Sequence, residues 1–170
     1  IGRLGDYAQN IVDTVNQLEL DIIGILPNND SGSQMIRETF ERGFKDNKHV
    51  VFYPSLRFEY FLTLLKNARF IIGNSSSGVR EAPYFGIPTV DIGTRQRNRS
   101  KAKSIIRCGY QISEIVSGVT QVLRLKHVAS TKEFGDGNSD RKFLDVLSTD
   151  TIWHTPHQKY FQENMGNSRS

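Results

Sequence analysis

The residues best suited to chemistry lie between Phe70 and Arg99. The apolar run Phe70-Ile71-Ile72 breaks at Gly73-Asn74-Ser75-Ser76-Ser77-Gly78 and is followed by Val79-Arg80-Glu81-Ala82-Pro83-Tyr84-Phe85-Gly86. This order predicts a strand, a Gly/Ser loop and a helix. Such a unit aims backbone N–H groups and the positive end of a helix dipole at one point, which favours a bound phosphate. A second apolar run, Pro88-Thr89-Val90-Asp91-Ile92, leads into Gly93-Thr94-Arg95-Gln96-Arg97-Asn98-Arg99, a basic loop. In an open α/β sheet both loops would sit at the carboxyl edge, where ligands bind. The chemistry expected is recognition of a phosphorylated ligand.

The surrounding sequence must supply a scaffold for these loops. Apolar residues recur at helical spacing from Asp6 to Leu20, and Ile22-Ile23-Gly24-Ile25-Leu26 reads as a buried parallel strand stopped by Pro27. Asn28 to Ser33 is a turn, Met35 to Phe44 a helix, and Val50 to Tyr53 a strand ended by Pro54. Phe58, Phe61, Leu62, Leu64 and Leu65 give a helix with a broad apolar face. After the strand-loop-helix-strand unit, Ser104 to Arg107 reads as one more strand and Ser113 as the cap of a helix from Ile115 to Leu125. A polar turn, Gly135 to Asp140, precedes a short helix with Phe143, Leu144, Val146 and Leu147. Strands alternating with helices at short spacing predict a parallel sheet covered on both faces. Residues 1–150 are expected to form one Rossmann-like three-layer α/β domain. Residues 151–170 are expected to form a helical tail carrying Trp153, Tyr160 and Phe161, disordered from Gly166 to Ser170.

Composition narrows the classes. A chain of 170 residues can bury a core, and its apolar runs are too short to span a membrane. With no signal pattern and a lone Cys108, neither a disulfide framework nor a Cys-based metal site is expected, and a cytoplasmic setting is the default. The chain opens at Ile1-Gly2-Arg3 without an initiator Met and reads as a fragment or a processed form. The net charge is +4, yet Arg95, Arg97, Arg99, Lys101, Lys103 and Arg107 fall together with no intervening acid. Three readings of that run stay open: a polyanion surface, a solvated loop, and a phosphate site using one or two of its residues. The neighbouring Gly/Ser loop favours the third. Aromatics are not interleaved with the run, which gives little support to a nucleic-acid module.

The common phosphate loops do not account for the pattern. No strand is followed by G-x-G-x-x-G, and Val79 stands where a Walker loop would carry Lys. The four histidines, His49, His127, His154 and His157, form no metal motif. No metal and no cofactor are expected.

Several motifs fall in order and spacing: Gly-Asn-Ser-Ser-Ser-Gly-Val-Arg-Glu-Ala-Pro from Gly73, Phe-Gly-Ile-Pro-Thr-Val from Phe85, Ile-Gly-Thr-Arg-Gln from Ile92 and Gly-Asp-Gly-Asn from Gly135. Together they resemble the C-terminal half of UDP-N-acetylglucosamine 2-epimerases, from about Asp6 to the end of the chain. The Asn-Ser-Ser and Gly-Thr-Arg-Gln variants resemble the hydrolysing branch, which releases UDP and an N-acetylmannosamine-type sugar for sialic or legionaminic acid synthesis. The resemblance implies the C-terminal half of a glycosyltransferase-B-type fold, with UDP held between two Rossmann-like domains. It also implies a reaction in which UDP leaves carbon 1 as the carbon 2 proton is lost, before water adds to the glycal.

On this resemblance Ser75, Ser76, Ser77 and Gly78 match diphosphate contacts, Glu81 the residue that holds the ribose hydroxyls, and Arg95 a phosphate contact. Asn28, Asp30, Tyr53 and Arg99 are secondary candidates. Plainer roles remain for each. Ser75 to Ser77 could cap a helix, Glu81 could pair with Arg80 or a helix dipole, and Tyr53-Pro54 could simply end a strand. Asp91 reads as a cap and Asp136 as a turn former. No catalytic residue is expected here, because the proton-transfer groups belong to the missing N-terminal domain, onto which the tail would dock. The implied partners are UDP and a UDP-sugar, with a homo-oligomer left open and neither nucleic acid nor membrane expected; the fragment alone is expected to be inactive. A glycosyltransferase of the same fold is the alternative.

Overall fold

A computed structural model of the chain describes residues 3–27, 31–125, 128–154 and 158. The expectations for Asn28, Asp30, Tyr160, Phe161 and Gly166 to Ser170 lie outside these residues. The chain divides into two compact units, Ile1–Glu133 and Phe134–Ser170, whereas the sequence reading groups residues 1–150.

The first unit alternates helices and strands: α1 (Leu4–Gln17), β1 (Ile22–Ile25), α2 (Ser33–Gly43), β2 (Val50–Tyr53), α3 (Phe58–Asn67) and β3 (Ile71–Gly73). A 3-10 turn (Ser76–Gly78) follows, then α4 (Glu81–Tyr84), β4 (Thr89–Ile92), β5 (Ile105–Cys108) and α5 (Ile112–Arg124). Every strand pairing is parallel. β1 lies on β2, with Ile22 opposite Val50 and Ile25 opposite Tyr53. β4 lies between β3 and β5, with Thr89 opposite both Ile71 and Ile105. The architecture is Rossmann-like α/β, as expected from the alternation.

β4 is buried along its whole length, and its two faces show why. Val90 and Ile92 pack against Ile115, Val119 and Val122 of α5, with Ile11 and Leu18 packed around this cluster. Fully burying each such side chain contributes roughly 1.5–3 kcal/mol. The fit is close at Gly118, where a Cβ would come within 3.0 Å of Val90. Thr89 serves the turn after β3, its hydroxyl donating to the Gly78 carbonyl at 2.6 Å. Gly78 leaves no room for more, since a Cβ there would lie 2.7 Å from the Thr89 methyl. β4 is thereby fixed under the loops that follow β3 and β4.

Three local expectations change. β1 alternates between half-buried and exposed positions, and Ile23, Ile25, Val51 and Tyr53 are exposed. The core beside β1 and β2 gathers Val12 and Val15 of α1, Phe40 of α2 and Phe44 just after it against Ile22, Val50 and Phe52, the alternate positions. The cap of α5 is Gln111 rather than Ser113. Gln111 and Glu114 form a capping box, with the Gln111 N–H donating to Glu114 Oε2 at 3.1 Å; Ser113 is already inside the helix. Asp91 is no cap, because it is the third residue of β4.

The second unit holds α6 (Ser139–Leu147) and α7 (Asp150–Trp153). Asp136 shapes the turn before α6, accepting from the Asn138 N–H and from Lys142 Nζ. These hydrogen bonds hold its carboxyl down at about 2. The Trp153 indole N–H donates to the Leu147 carbonyl, joining the two helices. No helix among the described residues is long and apolar enough to cross a membrane.

Candidate functional site

Parallel pairing of β3 with β4 puts their carboxyl ends side by side, so the Gly/Ser loop and the basic loop leave the same edge. The first of these is tighter than the sequence suggests. Ser75 takes an extended conformation and its Oγ accepts from the Ser77 N–H at 3.3 Å. The N–H groups of Gly78, Val79 and Arg80 then turn back onto the carbonyls of Ser75 and Ser76. The expected helix is reduced to this 3-10 turn and the four residues of α4, so a helix dipole adds little. The segment ends at Gly86, whose φ is +70°. Donors at this loop are therefore hydroxyls and local amides. Ser75 serves as a cap, yet its hydroxyl proton remains available to a ligand.

Glu81 is the first residue of α4 rather than one turn into a helix. Its Oε2 is buried and has no hydrogen-bond partner among the described residues. A buried acceptor without a donor is costly and uncommon in native proteins.

The basic loop begins at Gly93, whose φ of +85° turns the chain out of β4. It continues as a compact turn, with the Arg97 N–H donating to Thr94 and the Arg99 N–H to Gln96. Arg95, Arg97 and Arg99 are exposed, while Gln96 between them is buried, 1% exposed. Gln96 Nε2 donates to the Asn74 carbonyl at 2.8 Å, and its Oε1 accepts from Arg99 Nη1 at 2.9 Å. One amide thus spans both loops. Its role went unread in the sequence, although it ends the Gly-Thr-Arg-Gln motif.

Two carboxylates hold the far side of the basic loop. Asp91 lies opposite Arg107 across β4 and β5, with 4.0 Å between Oδ2 and Nε. Burial pushes the Asp91 carboxyl above its ordinary value, and Arg107 offsets part of this. Arg107 Nη2 also donates to the Ser100 carbonyl at 2.8 Å. Glu133 accepts from the Ser100 hydroxyl at 2.6 Å and from the Lys101 N–H, and these bonds lower its carboxyl below the ordinary range. Nearby, the Thr131 N–H donates to the Pro83 carbonyl. The 131–133 segment therefore touches both α4 and the end of the basic loop. Spacing alone could not reveal this, because Ser100 and Glu133 are 33 positions apart.

Ser75, Ser76, Ser77, Gly78, Glu81, Arg95 and Arg99 fall on this one edge. Tyr53 ends β2 on the two-stranded sheet, not on the sheet that carries these loops, and is exposed. Asn28 and Asp30 are outside the described residues. A shallow groove of about 330 Å³ lies elsewhere, between β5 and α5, lined in part by Cys108, Glu114 and Ser117. It contains none of these site residues. Its Cys108 thiol is pushed up to about 11, first by burial and then by Glu114 and Asp91, so it is a poor nucleophile at neutral pH.

Comparison with known proteins gives a consistent result. Residues 4–148 match the family described as UDP-N-acetylglucosamine 2-epimerase. The chain is 41% identical over 158 residues to a UDP-N-acetylglucosamine 2-epimerase of Neisseria meningitidis serogroup B, covering 91% of this chain and 41% of that protein. It is 28% identical to the UDP-N,N'-diacetylbacillosamine 2-epimerase (hydrolyzing) of Legionella pneumophila, covering 83% of this chain and 37% of the relative. Among solved structures, the Methanocaldococcus jannaschii UDP-GlcNAc 2-epimerase in complex with UDP-GlcNAc and UDP shares the fold. Its TM-score is 0.70 at 21% identity, covering 85% of this chain and 40% of that one. The chain spans about two fifths of the length of these relatives.

Proposed function

The chain belongs to the UDP-N-acetylglucosamine 2-epimerase family, and from that premise we propose that it is the C-terminal, UDP-binding half of a hydrolysing epimerase. In this reading Ser75, Ser76, Ser77, Gly78 and Arg95 hold the diphosphate, with Arg99 beside them, and Glu81 accepts from the ribose hydroxyls. The product is an N-acetylmannosamine-type sugar, released with UDP. The observation that supports it most is Glu81 Oε2, buried without a hydrogen-bond partner among the described residues, beside two loops joined through Gln96.

The chemistry follows from charge. As the bond from carbon 1 to the UDP oxygen breaks, negative charge grows on the leaving diphosphate. Hydroxyls and a guanidinium already in place stabilise that charge without reorganising, and one such donor is worth on the order of 3 kcal/mol of barrier. Arg95 suits the task because its planar fork of donors fits phosphate oxygens. Proton transfer at carbon 2 is assigned to residues outside this chain, so the 170-residue chain alone would bind nucleotide without turnover.

Glu81 provides the sharpest test. A hydroxyl donating to a carboxylate contributes about 1.5–3 kcal/mol. UDP should therefore bind the full-length protein at least about tenfold more tightly than 2'-deoxy-UDP, and Glu81→Ala should remove that preference. Titration calorimetry with both nucleotides measures it. A preference for UDP that survives Glu81→Ala would contradict the assignment.

A further inference from the structure

We infer that Gln96 is a positioning residue that makes the two loops bind a nucleoside diphosphate as one unit. The inference rests on the nucleotide-site reading and deepens it. Gln96 is 1% exposed, and both ends of its amide are used. The Nε2 end holds the carbonyl of Asn74, next to the Ser75–Gly78 turn. The Oε1 end holds Arg99, and Arg95 is its chain neighbour. A buried amide satisfied at both ends fixes its partners, because any displacement of one loop strands a polar group of the other.

The rest of the edge anchors each loop separately. The Ser75–Gly78 turn is pinned to β4 by the Thr89 hydroxyl on Gly78. The basic loop is pinned at its far end by Arg107 and Glu133 on Ser100. Each loop therefore has its own anchor, and the Gln96 amide adds a hydrogen bond that runs directly from one to the other. The consequence concerns cooperation between contacts rather than the stability of either loop. Contact of a ligand with Ser76 in one loop is therefore not independent of its contact with Arg95 in the other.

Cooperation of this kind is read by a double-mutant cycle. UDP affinity of the full-length protein is measured for Ser76→Ala, Arg95→Ala and the pair, each in the parent and in Gln96→Glu. The glutamate is nearly isosteric and still accepts from Arg99, but it cannot donate to Asn74. In the parent, the pair should lose at least about threefold less affinity than the product of the single losses. In Gln96→Glu the losses should multiply, with the melting temperature confirming that each variant is folded. Losses that multiply already in the parent would overturn the inference, whether or not the Gln96 variant folds. So would losses that still fail to multiply in folded Gln96→Glu. Indifference of UDP binding to both Ser76→Ala and Arg95→Ala would instead contradict the nucleotide-site reading, and the inference with it.

Discussion

Asp91 carries a charge that the fold accommodates at a cost. Its Oδ2 has no hydrogen bond among the described residues, and the Arg107 guanidinium is at the outer limit of an ion pair. Burial outweighs that pairing, so the carboxyl sits above its ordinary 3.8. A carboxyl raised in the folded state contributes stability below its unfolded value and loses it as pH rises through the folded value. The charged form of Asp91 therefore supports the fold less than the protonated form does. Asp91→Asn keeps the shape without the charge, and Arg107 retains Ser100. Its melting temperature at pH 7 should be higher by about 1–3 °C, with the difference shrinking toward pH 4. A lower melting temperature at pH 7 would show that the pair with Arg107 is worth more than the geometry implies. The sequence showed an acid near a strand end. Only the register with β5 reveals its partner and its burial.

The loops depend on backbone conformations as much as on side chains. Gly93 opens the basic loop at φ +85°, and a Cβ there would run into the phenol of Tyr110. Tyr110 cannot yield easily, since its ring stacks on Tyr7 of α1 at 3.8 Å between centroids. Gly93→Ala should therefore destabilise the protein by about 1–3 kcal/mol through strain and overpacking. Denaturant unfolding measures this, and a change within about 0.5 kcal/mol, ordinary for a surface site, would contradict it. Much of this element scale was legible beforehand. The bounds of β2 were read as they stand, and the carboxyl-edge placement of both loops followed from alternation. The 3-10 turn was not legible, because Val79-Arg80-Glu81 carries no breaker and Pro83 is compatible with a first helical turn. Gln96 was missed for a different reason. Its partner is a backbone carbonyl 22 positions away, which no local pattern encodes.

Across the whole molecule, the motifs identified the family, and the match over residues 4–148 agrees with them. What they could not supply is the division at Glu133 or the one-sided covering of β1 and β2, which depend on where helices pack. The proposal that this chain grips UDP is tested most directly by the melting temperature of the full-length protein under UDP titration, with ADP as control. A ligand that binds only the folded state adds about 2.7 kcal/mol at 100 times its dissociation constant, a rise of a few degrees in melting temperature. The expected result is a UDP-selective rise that shrinks in Arg95→Ala and in Glu81→Ala. An equal response to ADP, or a UDP response untouched by both substitutions, would contradict the assignment of this edge to the nucleotide.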